Sequence, residues 1–152
     1  MSTWTTQTIV DGTPEEVLAV LSDPDCCYRW SPIDFDLEDL DGERLQTGSY
    51  ARVAGRVAGI SVSFEIEVHH ASDRRLTLTA RGPMRLEVEY EAYPASDGRA
   101  EVWATVTVEP SRSLSGRLAA ASTEALLRAG ALSVALRRIS AEVAHRAEGV
   151  PA

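Results

Sequence analysis

The residues of this chain on which chemistry could rest are few: the pair His69-His70, Tyr90, the near neighbours Tyr50 and Arg52, Trp30, and the adjacent Cys26 and Cys27. A histidine that titrates near neutral pH beside an apolar cavity can act as general acid or base. The run Ile60 to Val68 alternates strictly, with Ile60, Val62, Phe64, Ile66 and Val68 on one face and Ser61, Ser63, Glu65, Glu67 and His69 on the other. Continuing that parity places His70 inward and His69 in solvent. The plainer reading of His70 is a strand-end residue that hydrogen-bonds the following turn. Tyr90 lies in register with Leu86 and Val88, so its ring is interior and its hydroxyl must find a partner. A cavity-facing hydroxyl and a satisfied core tyrosine fit this equally. Tyr50 and Arg52 share a face, but Ala54-Gly55 interrupts the alternation, so which face stays open. Inward, Arg52 would bind an anion or a carbonyl; outward, it would pair with surface carboxylates.

Other chemistries find no support. The sequence lacks a G-x-S-x-G elbow, a P-loop, an H-E-x-x-H motif and a glycine-rich dinucleotide fingerprint, so neither a cofactor nor a metal is expected. His69 and His70 point to opposite sheet faces without a third ligand, and His145 reads as an exposed helix-end residue. Cys26 and Cys27 have no C-x-x-C spacing and read as reduced residues, since adjacent cysteines rarely meet relaxed disulfide geometry. The acidic residues between Asp34 and Asp41, and between Glu65 and Glu91, read as solvated faces.

The elements that hold these residues follow from alternation and turn chemistry. Trp4 to Val10 suits a strand, and Thr13-Pro14-x-Glu16 is a capping box opening a short helix that Asp23-Pro24 ends. Asp25 to Pro32, with Trp30, reads as a loop or second short helix, and Trp30 as either a residue of a pocket mouth or a hydrophobic plug. Strands are predicted from Phe35 to Asp41, Gly48 to Val53, Ile60 to His70, around Leu76 to Ala80, from Met84 to Tyr93 and from Val102 to Val108. A hairpin centred near Asp97 would set Arg85 opposite Glu109 and Glu91 opposite Trp103. From Ser113 to Ala147 an apolar stripe runs through Leu114, Leu118, Ala121, Ala125, Ala129, Leu132, Leu136, Ile139 and Val143, which predicts one long helix lying on the sheet. The expected architecture is α+β, a curved seven-stranded antiparallel sheet around that helix, in a single domain spanning 1–152.

Small residues in the middle of the helix, Ala125, Ala129 and Gly130 among them, leave room against a curved sheet. The expected enclosure is an internal cavity bounded by Phe64, Val68, Leu78, Val88, Tyr90 and Val106. Charge narrows the partners. With 15 basic against 23 acidic residues, a net charge of -8 repels nucleic acid and anionic lipid surfaces. No apolar run reaches the length of a membrane span and no signal peptide is read at the N-terminus, so the expected address is the cytoplasm, as monomer or homodimer.

The pattern Ile9-x-x-x-x-Pro14-Glu15-x-Val17, Asp23 followed by Trp30, Gly48 at a strand start, and the closing helix together resemble the START-like (Bet v 1-like, SRPBCC) superfamily, specifically its bacterial polyketide cyclase/dehydrase-type branch. The resemblance spans nearly the whole chain and implies a helix-grip fold that binds a small hydrophobic molecule. It implies a cofactor-independent cyclase/dehydratase-like enzyme acting on a hydrophobic carbonyl compound, with His70 moving a proton and Tyr90 polarising the carbonyl. The alternative is a non-catalytic carrier or sensor of a lipid-like metabolite. In aromatic polyketide cyclases of this fold the corresponding strand end carries a functional arginine, where this chain has His70.

Overall fold

The computed structural model describes residues 2–25, 35–40, 42–57, 59–110 and 112–147. The Thr-rich first segment forms β1 (Ser2–Val10), with alternate residues turned to solvent. The capping box then forms as the sequence predicts. Glu16 N–H donates to Thr13 Oγ1, and Thr13 N–H donates to the Glu16 carboxylate, both at 3.2 Å. With two orphan donors satisfied and Pro14 preset for the first turn, α1 (Pro14–Leu21) buries Val17, Leu18, Val20 and Leu21.

The remaining strands are β2 (Phe35–Leu40), β3 (Tyr50–Val57), β4 (Ile60–Ala71), β5 (Arg75–Arg81), β6 (Arg85–Pro94) and β7 (Ala100–Glu109). They form one seven-stranded antiparallel sheet in the order β1-β7-β6-β5-β4-β3-β2, so neighbours from β2 to β7 are hairpin partners and β1 returns to pair with the last strand. The β6–β7 register is the predicted one, with Arg85 opposite Glu109 and Glu91 opposite Trp103. Its turn bends through Asp97 and Gly98, both at positive φ. The inner face of β6 carries Tyr90 and Ala92 into the core, with Leu86 and Val88 beside them and Met84 buried just before the strand, while Arg85 faces solvent. One apolar and one wet face is what a sheet covered on a single side requires.

The cover differs from a single long rod. The helix breaks at Gly130, whose φ of +96° is a left-handed conformation that an L side chain resists, leaving α2 (Leu114–Arg128) and α3 (Ala131–Ala147). The break resets the rotational phase. In α3 the predicted stripe is buried through Leu132, Leu136, Ile139 and Val143. In α2 the buried face is instead Gly116, Ala119, Ala120 and Thr123, whose small side chains let the helix approach the sheet closely. Leu114, Leu118, Ala121 and Ala125, expected to face the core, are exposed. Ser2 Oγ donates to Glu124 at 3.0 Å and the Arg128 guanidinium lies over the Trp4 ring at 5.8 Å, tying α2 to the first strand. The second short helix proposed between Asp25 and Pro32 falls largely outside the described residues, as do Cys26, Cys27 and Trp30.

The last turn of α3 is tied back to the end of α1, where Arg146 Nη2 donates to the Asp23 carboxylate. Burial alone would raise the Asp23 pKa. The backbone N–H of Asp25, donating at 2.9 Å, and the guanidinium of Arg146, with Arg44 further off, outweigh burial and hold it below the ordinary 3.8. A carboxyl whose folded pKa is depressed stabilises the fold above its unfolded pKa and loses that contribution as pH falls through the folded value. Asp23→Asn should therefore destabilise the protein at neutral pH. The gap from wild type in urea titrations should close as pH drops below about 4. A gap that stays constant into acid would remove Asp23 as the cause.

Candidate functional site

The sheet curls around a cavity of about 230 Å³. Every strand from β2 to β7 contributes to the wall. Leu37, Ala51, Val53, Gly55, Val62, Phe64 and Ile66 come from one half of the sheet, and Leu76, Leu78, Ala80, Leu86, Val88, Tyr90 and Val106 from the other. The helical side supplies Leu21, Thr123, Leu127 and Leu132, and Pro24 and Leu45 also line the space. Val88 sits in the middle of this wall, its cross-strand neighbours Leu78 and Val106 lining the cavity beside it. Gly82 helps hold the shape. A Cβ there would meet the Ser63 carbonyl oxygen at 2.5 Å and the Phe64 ring at 2.7 Å, so only glycine lets this turn close over β4 without displacing Phe64.

Two oxygens belong to side chains of the wall, the Tyr90 phenol and the Thr123 hydroxyl. Thr123 Oγ1 donates to the Ala119 carbonyl at 2.9 Å, which leaves it an acceptor toward the cavity. Tyr90 is the single ionisable residue among the described lining residues. The described wall holds neither a histidine nor a carboxylate, and no set of three His, Cys, Asp or Glu suited to a metal ion occurs among the described residues.

Several predicted site residues therefore sit where the sequence suggested. Phe64, Leu78, Val88, Tyr90 and Val106 line the cavity. Val68 is buried but packs in the core instead of lining the space. Four expectations are corrected on the helical side and at the strand end. Ala125 and Ala129 are exposed and Gly130 lies at the helix break, so the helical wall is Thr123, Leu127 and Leu132. His70 is exposed as well. The β4–β5 pairing runs Val68 to Leu78 and then skips to His70 opposite Thr77, a bulge that spends one extra residue. His69 Nε2 and Thr79 Oγ1 share a 2.6 Å hydrogen bond on the outer face, and inward parity resumes only at Ala71. The signal was present: an alternating run ending in two polar residues before a small apolar one breaks the period of two.

Tyr50 and Arg52 resolve to the outer face. Arg52 lies opposite Glu65 and pairs with it at 3.8 Å, and Tyr50 is opposite Glu67. The Tyr50 hydroxyl, hydrogen-bonded to the Glu65 carboxylate, has its pKa pushed up. Neither reaches the cavity. Sequence reasoning missed the β3 wall residues Ala51 and Val53, which the parity of Tyr50 and Arg52 would have placed inward once either residue was known to face out.

No family model matches this chain and no curated protein matches it significantly in sequence. Solved structures do match. The Zhui aromatase/cyclase of a Streptomyces species superposes with a TM-score of 0.73 at 15% identity, covering 96% of this chain and 95% of that one. A Thermus thermophilus protein gives 0.73 at 15% identity over 95% of this chain and 99% of its own. A START superfamily protein from Mycobacterium smegmatis gives 0.66 at 16% identity, over 94% and 97%. The chain shares the helix-grip fold of these structures: an α+β architecture in which an antiparallel sheet grips the C-terminal helical segment. No helix among the described residues is long and apolar enough to cross a membrane.

Proposed function

We propose that this protein encloses a compact, uncharged, hydrocarbon-rich molecule in the sheet-lined cavity and holds it as a carrier or sensor. The observation that carries this reading is the composition of the described wall, carbon apart from Tyr90 and Thr123. A carboxylate or ammonium enclosed there would have no charged partner among the described lining residues, and burying an unpaired charge costs several kcal/mol or more. At about 230 Å³ the space lies below the ~300–1,000 Å³ usual for ligand pockets, which favours a small, compact ligand.

Tyr90 supports a second reading, a cyclase- or dehydratase-like activity on a hydrophobic carbonyl compound. Tyr90 lines the wall beside Thr123, and a phenol within reach of a bound carbonyl would donate to its oxygen as negative charge builds on it during enolisation. His70, exposed on the far side of the bulge, takes no part in that reading.

Native mass spectrometry after gentle purification, followed by calorimetric titration with a medium-chain alcohol and the matching carboxylate, tests the first reading. One neutral ligand per chain is expected, with the carboxylate binding about 100-fold more weakly. Equal affinity for both would mean that the head group stays outside, and no binding of either would end the proposal. For the second reading, a turnover rate on a poly-β-keto substrate should fall about 10²-fold in Tyr90→Phe. A rate that Tyr90→Phe leaves unchanged ends the catalytic role.

A further inference from the structure

The outward stripe of α2 has no partner among the described residues and is not polar. At 100° per residue, Leu114, Leu118, Ala121 and Ala125 fall within about 60° of one another, directly opposite the buried Gly116, Ala119, Ala120 and Thr123. Leu114 is 75% and Leu118 54% exposed, the two most exposed large hydrophobic side chains described. Isolated surface leucines need no explanation, but a contiguous apolar helix face does.

We infer that this face pairs with the same face of a second copy of the chain, the two α2 helices antiparallel about a two-fold axis. The arrangement of the stripe specifies the occupant. Leucines fill its N-terminal half and alanines its C-terminal half, and both pairs are centred between Ala119 and Ala120. Antiparallel pairing about that centre lays Leu114 over Ala125 and Leu118 over Ala121 of the other copy, large side chains into small-residue gaps at both ends. Charge agrees with the same centre. Arg117 and Glu124 lie on one flank of the stripe and straddle nearly the same point, so two-fold pairing brings each Arg117 to the other copy's Glu124, twice. Glu124 accepts from Ser2 through one oxygen, Oε1, leaving the other for this contact, and Arg117 makes no ion pair among the described residues. Parallel pairing would instead set Leu114 and Leu118 against their own copies and leave Arg117 and Glu124 of the two copies on opposite flanks of the seam, out of reach of each other. One helix pair buries less than the ~800 Å² per partner of a standard interface, so monomer and dimer exchange with concentration.

Sedimentation velocity over about a thousandfold range of protein concentration tests this. The average mass should rise from 16.5 kDa toward twice that value. Leu118→Glu should weaken association about tenfold or more with an unchanged far-ultraviolet spectrum, since the side chain is exposed. Arg117→Glu and Glu124→Arg should each weaken it several-fold, and the double exchange should restore it. A chain that stays monomeric throughout overturns the inference, as does a dimer indifferent to Leu118→Glu or a double exchange no better than its parents. Cosedimentation of a persistently monomeric protein with anionic phosphatidylglycerol vesicles would assign the face to a bilayer and overturn it equally.

Discussion

Replacement of Val88 by tryptophan is expected to lower affinity for an enclosed neutral ligand by about 100-fold, or ~2.7 kcal/mol. The position is central to the wall, flanked by Leu78 on β5 and Val106 on β7, both of which line the same space. An indole there projects into an existing cavity of about 230 Å³, so it fills space instead of displacing packed neighbours. Overpacking a full core costs about 1–3 kcal/mol, whereas filling a void recovers dispersion contacts. The melting temperature of the ligand-free variant should accordingly hold or rise while binding collapses. Calorimetric titration alongside thermal denaturation separates the two quantities. Unchanged affinity would place the ligand elsewhere on the molecule.

The second large effect concerns two leucines that the sequence presents as equivalent. Leu136 and Leu118 fall on one apparent stripe, yet Leu136 is 1% exposed and Leu118 54%. Leu136→Ala should cost about 2–5 kcal/mol through lost burial and the cavity left beneath α3. Leu118→Ala should change stability by no more than ~0.5 kcal/mol, provided urea unfolding is followed at concentrations dilute enough to keep the chain monomeric. Comparable costs at the two positions would mean that α2 presents its leucines to the core.

The contrast marks where the sequence was legible. Features set by local chemistry came through: the Thr13-Pro14-Glu16 capping box, the Asp97-Gly98 turn and, from it, the register of Arg85 with Glu109. The inward parity of β6 came through too, because one buried face enforces a period of two over its whole length. Two local departures account for the residues the pattern misplaces. A single left-handed residue at Gly130 resets the phase of the preceding helix, so the small-residue wall was assigned to Ala125 and Ala129 when Thr123 and Leu127 form it. One extra residue in β4 turned His70 out of the space it was expected to face. Both are cases in which tertiary contacts select among local patterns that the sequence leaves nearly degenerate. Gly130 helical would have kept the stripe continuous, and an unbulged β4 would have kept the alternation. The bond between His69 and Thr79, ten residues on, lies beyond any window over which periodicity is read.

The pairing of β1 with β7 carries a consequence for how the chain reaches this state. Thr3 bonds across to Thr107, 104 positions later, whereas every other strand pair joins neighbours in sequence. Closing a loop of that length costs roughly 4 kcal/mol in chain entropy before any pairing compensates it. During synthesis from the N-terminus, the first strand emerges with its backbone donors and acceptors unmatched and must wait for the last strand. The meander from β2 to β7 can form hairpin by hairpin in that interval. Completion of the sheet is therefore a late, non-local event, and interception of the waiting strand by another chain's open edge is the failure to which this topology is most exposed.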